Sequence, residues 1–289
     1  MTSPIDLTTL FSLNGSVALI TGAGSGIGSY IAHTFVLAGA ERVYITGRRL
    51  EALKKTAAFN AAIVPIQGDI SSKAGCAAIV KAFEEAEKAR GVTGAPKLDI
   101  LVNNAGILTK DGNWDKDGAS VETISQALLQ ADDKDWDQGF AINTSSIQWM
   151  SAIFLPHLER AAANGGKAQG RGNIINNTSV SALYISRDAQ GHIYSATKVA
   201  AESISANLAS KFTKLGVRVN SIAVANIPSE INDMNNPNSF IAKLKDISPI
   251  GRVGNEEDMA GAVLYLASRA GSFVSGAMLK IDGGILIGA

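Results

Sequence analysis

The sequence predicts an α/β fold, a doubly wound parallel sheet with helices on both faces. Three observations predict it. Short apolar runs alternate with helical stretches along nearly the whole chain. Strands that alternate with helices imply parallel pairing through right-handed crossovers. The first run is apolar at every position from Val17 to Ile20, which fits a strand buried on both faces. The 289 residues are 46% hydrophobic and 18% charged, so a sizeable core is available and disorder is not expected.

Taken in order, Ser16-Val-Ala-Leu-Ile-Thr21 is the first strand, bounded by glycines. Gly22-Ala-Gly-Ser-Gly-Ile-Gly28 follows, then a helical run through Val36. Strand, glycine-rich turn and helix open a dinucleotide-binding βαβ unit. The glycines permit a tight turn, and the helix N-terminus offers free N–H groups to a pyrophosphate. An ordinary glycine-rich βα loop is the competing reading, disfavoured by four glycines in seven residues directly after a buried strand. Arg42 to Thr46 is a second strand and Leu50 to Asn60 a helix. Ile63 to Gln67 is a third strand, ending at Asp69-Ile70, and Lys73 to Arg90 a helix with a solvated Lys/Glu face. Leu98 to Asn103 is a fourth strand that runs into Asn104-Ala105-Gly106.

Residues 107 to 134 break this regularity. Their polar stretch reads as an insertion over the site, with a short helix from Val121 to Gln130. Asp135 to Ala163 is predicted as one long helix with Asn143 inside it. Asn173 to Thr178 and Val217 to Ala223 are the fifth and sixth strands. Residues 226 to about 250, rich in Asn, Pro and Ser, read as a substrate loop. Glu256 to Ser268 is a helix and Ala277 to Ile281 the last strand. All of this reads as one domain over residues 1–289.

Composition excludes several classes. Lys plus Arg equals Asp plus Glu, 26 each, which argues against nucleic acid or an anionic membrane as partner. Cys76 is the single cysteine. It rules out an intrachain disulfide and a cysteine-based zinc cluster, and fits a reducing, cytoplasmic setting. No metal is expected. The first ten residues lack the basic region and apolar run of a signal peptide, and no run has the length of a membrane span.

Tyr194-Ser-Ala-Thr-Lys198 carries the chemistry. On a helix, the four-residue spacing puts phenol and ammonium on one face, one turn apart. A nearby cation favours phenolate and brings the tyrosine pKa down from about 10 toward the working range. Such a pair also occurs by chance, with the lysine merely snorkelling to solvent, so the rest of the chain must decide.

Thr21-Gly-Ala-Gly-Ser-Gly-Ile-Gly28, Asn103-Asn-Ala-Gly106, Asn143, Ser179, Tyr194-x-x-x-Lys198 and Ile281-Asp-Gly-Gly284 occur in this order and spacing. Together they resemble the short-chain dehydrogenase/reductase family over residues 14 to 285. The stretch before Ser179 and Ile227-Pro-Ser-Glu230 look most like the branch of rhamnolipid-type 3-oxoacyl reductases and related fungal reductases. The resemblance implies a Rossmann fold and a set of roles. Tyr194 is the general acid/base on the substrate oxygen. Lys198 lowers its pKa and bonds the nicotinamide ribose. Ser179 bonds the substrate carbonyl, and Asn143 interrupts its helix and holds a water in a relay to Lys198. Ser181 lies two residues further on and is at most a substrate neighbour. Ligands of this fold bind outside the carboxyl ends of the strands. That implies cofactor contacts at Gly22, Gly24, Ser25, Gly26, Ile27, Gly28, Asp69, Ile70, Asn104, Ala105, Gly106, Tyr194 and Lys198.

Charge argues for the cofactor's phosphate. An acid at the end of the second strand bonds a ribose 2′-OH, whereas an arginine accepts a 2′-phosphate. Here the strand ends Thr46-Gly-Arg-Arg49 with no acid, which points to NADP(H) held by Arg48, with Arg49 in reserve. One departure stands out. Where the family usually has Pro-Gly after the sixth strand, this chain has Val224-Ala225. Ile227 and Ser229 just beyond are further candidate contacts. The expected activity is reduction of a small-molecule ketone or aldehyde, by NADPH, to an alcohol. The alternatives are an NADP-dependent alcohol dehydrogenase or a cofactor-binding scaffold without redox chemistry. A homodimer or homotetramer is expected, because the two long helices carry apolar residues on more than one face.

Overall fold

In the computed structural model, residues 5–109, 118–185, 191–233, 235, 241 and 248–288 are described. Seven parallel strands form one sheet in the order β3-β2-β1-β4-β5-β6-β7. They are β1 (Val17–Thr21), β2 (Arg42–Gly47), β3 (Ile63–Gln67), β4 (Ile100–Asn103), β5 (Asn173–Asn177), β6 (Arg218–Val224) and β7 (Met278–Ile281). The helices are α1 (Leu7–Leu10), α2 (Gly26–Leu37), α3 (Leu50–Ala57), α4 (Lys73–Ala89), α5 (Val121–Leu128), α6 (Asp133–Phe140), α7 (Ser146–Ala162), α8 (His192–Phe212), α9 (Glu256–Ala267) and α10 (Ile285–Gly288).

The expected doubly wound sheet is present. Alternate residues of the central strands feed two cores, as a pleated strand requires. Leu19, Tyr44, Leu101, Ile174 and Val219 pack with Phe83 of α4, Phe154 of α7 and Leu208 of α8. Their neighbours Ile20, Ile45, Val102, Ile175 and Ile222 pack on the other face with Phe35 of α2, Leu53 of α3 and Met259 of α9. Strands β1, β5 and β6 are buried at every position, so their continuous apolar or amide-rich pattern follows from burial on both faces.

One element differs from expectation. The helix predicted from Asp135 to Ala163 is two helices, α6 and α7, joined by a π-helical segment, Ala141–Ser145. A π bulge inserts one extra residue and redirects the side chains beyond it. Tertiary hydrogen bonds hold it. Asn143 bonds Ile107 and Thr197, Thr144 Oγ1 donates to the Thr197 carbonyl at 2.8 Å, and Ser146 Oγ donates to the Ile142 carbonyl at 2.6 Å.

Of the insertion expected near 107–134, residues 110–117 lie outside the described residues. The described part holds α5, which buries only Ala127. Of the loop expected near 226–250, residues 234, 236–240 and 242–247 lie outside them too. Among the described residues no helix is long and apolar enough to cross a membrane.

Candidate active site

The site lies at the carboxyl ends of β1, β4 and β5, where the strand order turns from β2-β1 to β4. Such a switch point leaves a crevice. Side chains from three strand ends tie its rim together. Thr21 Oγ1 accepts the N–H of Asn104 at 3.0 Å and of Ala105 at 3.1 Å. The Asn104 amide donates to the carbonyls of Thr21 and Gly22, and its Oδ1 accepts from Asn177 Nδ2 at 2.8 Å.

The glycine turn fits an anionic ligand. Gly26 starts α2 with φ +54°, a conformation that side chains disfavour. A Cβ on Gly28 would stand 2.5 Å from Asn104 Nδ2, so only glycine lets α2 pack this close. The Ser25 side chain makes no capping hydrogen bond to α2, which leaves the N–H groups of the first turn for a phosphate. Gly22, Gly24, Ser25, Gly26, Ile27 and Gly28 line the cleft, with Asp69 and Ile70 after β3 and Asn104, Ala105 and Gly106 after β4.

Arg48 and Arg49 stand at the outer end of the same cleft. Both are exposed, and they differ in partners. Arg49 Nη2 meets Glu230 Oε2 at 2.5 Å and Ser25 Oγ at 3.4 Å. Among the described residues the Arg48 guanidinium has no ion pair. Ser229 also lines the cleft, close enough to Gly26 that a Cβ there would stand 2.9 Å from the serine's Cβ.

Ser179, Tyr194 and Lys198 line the inner end. Ser179 and Lys198 are buried and Tyr194 is half-buried. The Ser179 hydroxyl accepts the N–H of Ser181 at 3.1 Å and hydrogen-bonds the Tyr194 phenol. Ser181 does not line the cleft. Lys198 Nζ donates to the Asn177 carbonyl at 3.1 Å and lies 5.5 Å from the centre of the Tyr194 ring. Burial lowers the lysine pKa to about 8, against the opposing pull of Glu202. Lys198 is expected to bring the tyrosine pKa down, whereas the net direction at Tyr194 is upward. Burial pushes the phenol above its ordinary value, and the hydrogen bond from Ser179 is the opposing influence.

Two expected residues do not reach the cleft. Asn143 is buried behind Gly106. Its Oδ1 accepts the Ile107 N–H at 2.8 Å, and its Nδ2 donates to the Ile107 carbonyl and to Thr197 Oγ1, each at 3.0 Å. Both donors are used, which leaves one lone pair of Oδ1 for a water. The Ile227 side chain turns away from the cleft, so any contact it makes there would be through its backbone. It is 1% exposed and packs into the core beside Gly254, where an apolar side chain on a buried turn belongs.

The Val224-Ala225 departure has a structural reading. Without proline, β6 keeps its ladder through Val224, and the Ala225 N–H donates to the Ile281 carbonyl at 3.0 Å. The left-handed turn falls instead on Asn226, at φ +51°. Asparagine tolerates that conformation better than most residues.

Fold and site together define a dinucleotide-dependent oxidoreductase scaffold, and comparison with known proteins gives the family. Residues 22–286 match the family model described as enoyl-(acyl carrier protein) reductase. The short-chain dehydrogenase/reductase PhomF of Diaporthe leptostromiformis is 34% identical over 287 residues, 96% of this chain and 93% of that protein. The rhamnolipids biosynthesis 3-oxoacyl-[acyl-carrier-protein] reductase of Pseudomonas aeruginosa is 33% identical, over 95% and 97% of the two chains. The structure of a Pseudomonas aeruginosa RhlG/NADP active-site complex superposes with a TM-score of 0.78, at 30% identity over 96% and 99%. The chain belongs to the short-chain dehydrogenase/reductase family.

Sequence reasoning missed four residues of this site. Thr21 ends a strand whose neighbours are apolar, a signal that was available. Asn177 completes a second Asn-Asn pair, Asn176-Asn177, at a strand end, like Asn103-Asn104. Glu202 lies four residues after Lys198, one further turn along the same helix face. Glu230 gives no local signal, since it meets Arg49 only through the fold.

Proposed function

We propose that this protein is an NADPH-dependent carbonyl reductase that converts a small ketone or aldehyde to an alcohol. One observation carries the reading. Ser179, Tyr194 and Lys198 line the same cleft as the glycine turn and Arg48, which has no ion pair among the described residues. On this reading the acid, the oxyanion donor and the phosphate receptor share a single groove. The likeness to a 3-oxoacyl-[acyl-carrier-protein] reductase and to an NADP complex supports it.

The residues of the glycine turn and the first turn of α2 would hold the pyrophosphate, Arg48 the 2′-phosphate, and Lys198 the ribose. The nicotinamide, when bound, supplies the hydride that reaches the carbonyl carbon. Tyr194 gives its proton to the carbonyl oxygen, so the substrate gains one hydride and one proton. Ser179 donates a hydrogen bond to the same oxygen and stabilises the charge that develops there. The Lys198 ammonium opposes the negative charge left on the phenol. Asn143 braces the chain after β4 against α8 and keeps Lys198 and Gly106 in register. Burial holds the phenol above its ordinary pKa, which suits a proton donor.

The test is direct. Binding of NADPH is followed by nucleotide fluorescence, and its oxidation is then followed with a panel of ketones and aldehydes. Turnover with stoichiometric alcohol is expected. Tight NADPH binding without turnover on any carbonyl would favour the non-redox scaffold. Alcohol-dependent reduction of NADP at neutral pH, faster than the reverse, would favour the dehydrogenase.

A further inference from the structure

The catalytic floor is held by a residue outside the expected set. Glu202 lies on α8 one turn beyond Lys198. Its Oε1 receives the hydroxyl of Thr178, and its Oε2 accepts from Ser221 Oγ at 2.7 Å. Thr178 sits between two residues of the site. Asn177, before it, offers the carbonyl that Lys198 Nζ bonds, and Ser179, after it, bonds the phenol of Tyr194. Ser221 lies on β6, paired in register with Asn176. One carboxylate therefore joins α8, the end of β5 and β6 directly beneath the site.

The same carboxylate stands one helical turn from the buried lysine and is the charge that opposes the loss of its proton. Lys198 is 3% exposed, and its ammonium has a single hydrogen-bond partner among the described residues, a neutral carbonyl. The groups around it can be counted by element. On α8 they are Tyr194 and Glu202, and from β5 the Asn177 carbonyl. From the chain after β4 and the π segment they are Gly106 and Asn143, which carry no charge. A cation desolvated among neutral groups tends to lose its proton unless an anion stands near.

Resting on the reading of the site as a reductase, we propose that Glu202 is a positioning residue. It fixes the turn that carries Asn177 and Ser179, and it keeps the buried Lys198 cationic. The charge and the two hydroxyl ties are separable. Glu202→Gln keeps an acceptor and a donor between the two hydroxyls and removes the charge. Thr178→Val with Ser221→Ala removes both ties and keeps the charge.

The experiment reads Lys198 directly. Proteins labelled with ¹³C-lysine are titrated without ligand, and the Lys198 resonance is assigned by its loss in Lys198→Arg. In the wild type, Lys198 is expected to titrate near pH 8. In Glu202→Gln the midpoint should fall by roughly half to one pH unit, as removal of a nearby opposite charge requires. The alkaline limb of kcat/KM should move down with it. In Thr178→Val/Ser221→Ala the midpoint should stay near the wild-type value while kcat falls, by up to about 10²-fold if the turn shifts by about 1 Å. Should Glu202→Gln not fold, Glu202→Asp keeps the charge on a shorter arm. It should restore the wild-type midpoint and lose kcat. An unchanged Lys198 midpoint in Glu202→Gln, or in Glu202→Asp a midpoint displaced from the wild type, would overturn the inference. The titration needs neither cofactor nor turnover. A wild type inactive on every carbonyl would therefore refute the proposed function while the role of Glu202 is still decided by the resonance.

Discussion

Arg48→Ala should cut the preference for NADPH over NADH by about tenfold and leave NADH use nearly unchanged. The argument rests on the two arginines after β2. Arg49 is engaged with Glu230 at 2.5 Å, whereas Arg48 has no ion pair among the described residues. A charge-assisted hydrogen bond contributes about 1.5–3 kcal/mol. Arg48 is exposed, so solvent and salt compete, and the lower end applies. About 1.5 kcal/mol is roughly a tenfold change in affinity. The readout is the ratio of kcat/KM for the two cofactors at low and high salt, and the wild-type preference should shrink as salt is added. Arg49→Ala serves as the control, because breaking its tie to Glu230 should weaken both cofactors alike. Gly47→Asp is the converse. A Cβ on Gly47 would meet nothing closer than Leu53 Cδ2 at 3.6 Å, so the side chain fits and its charge repels a 2′-phosphate. Equal use of both cofactors by the wild type, or an unchanged ratio in Arg48→Ala, would refute the assignment.

Three further outcomes follow from the same geometry. With burial holding its pKa at about 8, Lys198 is cationic below that pH and neutral above it. kcat/KM for reduction should therefore fall as pH rises through about 8, and a profile flat to pH 10 would contradict the electrostatic role. Asn143→Ala removes three hydrogen bonds of a buried side chain and strands the Ile107 N–H, a loss of about 2–3 kcal/mol. Its urea midpoint should drop while NADPH affinity changes little, and an unchanged midpoint would mean the π segment is held by other contacts. The chain should assemble as a dimer or tetramer. Val199 is exposed in the middle of α8, beside a face of small residues, and a monomer mass by light scattering at micromolar concentration would count against this.

Much of the fold was legible in the sequence because it follows from local rules. Strand, glycine turn and helix identify β1 and α2, and the two-sided burial of β1 matches its run of apolar residues from Val17 to Ile20. The site was legible where one residue type has one use. The spacing of Tyr194 and Lys198 put them on one helix face, and the absence of an acid after Thr46 was readable from charge alone. What escaped depends on long-range contacts. The helix predicted from Asp135 to Ala163 has good local propensity throughout, yet Thr197, 54 residues away from Asn143, helps to hold it as a π segment. Glu230 meets Arg49 across 181 residues, a pairing set by the path of the loop after β6. The tyrosine pKa was misjudged for a related reason. Helical spacing gave proximity to Lys198, but burial, which spacing does not reveal, decides the direction.

The central claim is that Tyr194 delivers the proton during carbonyl reduction by NADPH. The most direct measurement is single-turnover oxidation of bound NADPH by a ketone substrate, in wild type and in Tyr194→Phe, with NADPH affinity measured on the same samples. Phenylalanine keeps the ring and removes only the hydroxyl, so fold and nucleotide affinity should be retained. Loss of a positioned general acid costs typically about 10²–10⁴-fold in rate, and the account predicts a decline of that size in the chemical step. A Tyr194→Phe variant that binds NADPH normally and reduces the ketone within a few-fold of the wild-type rate would contradict it.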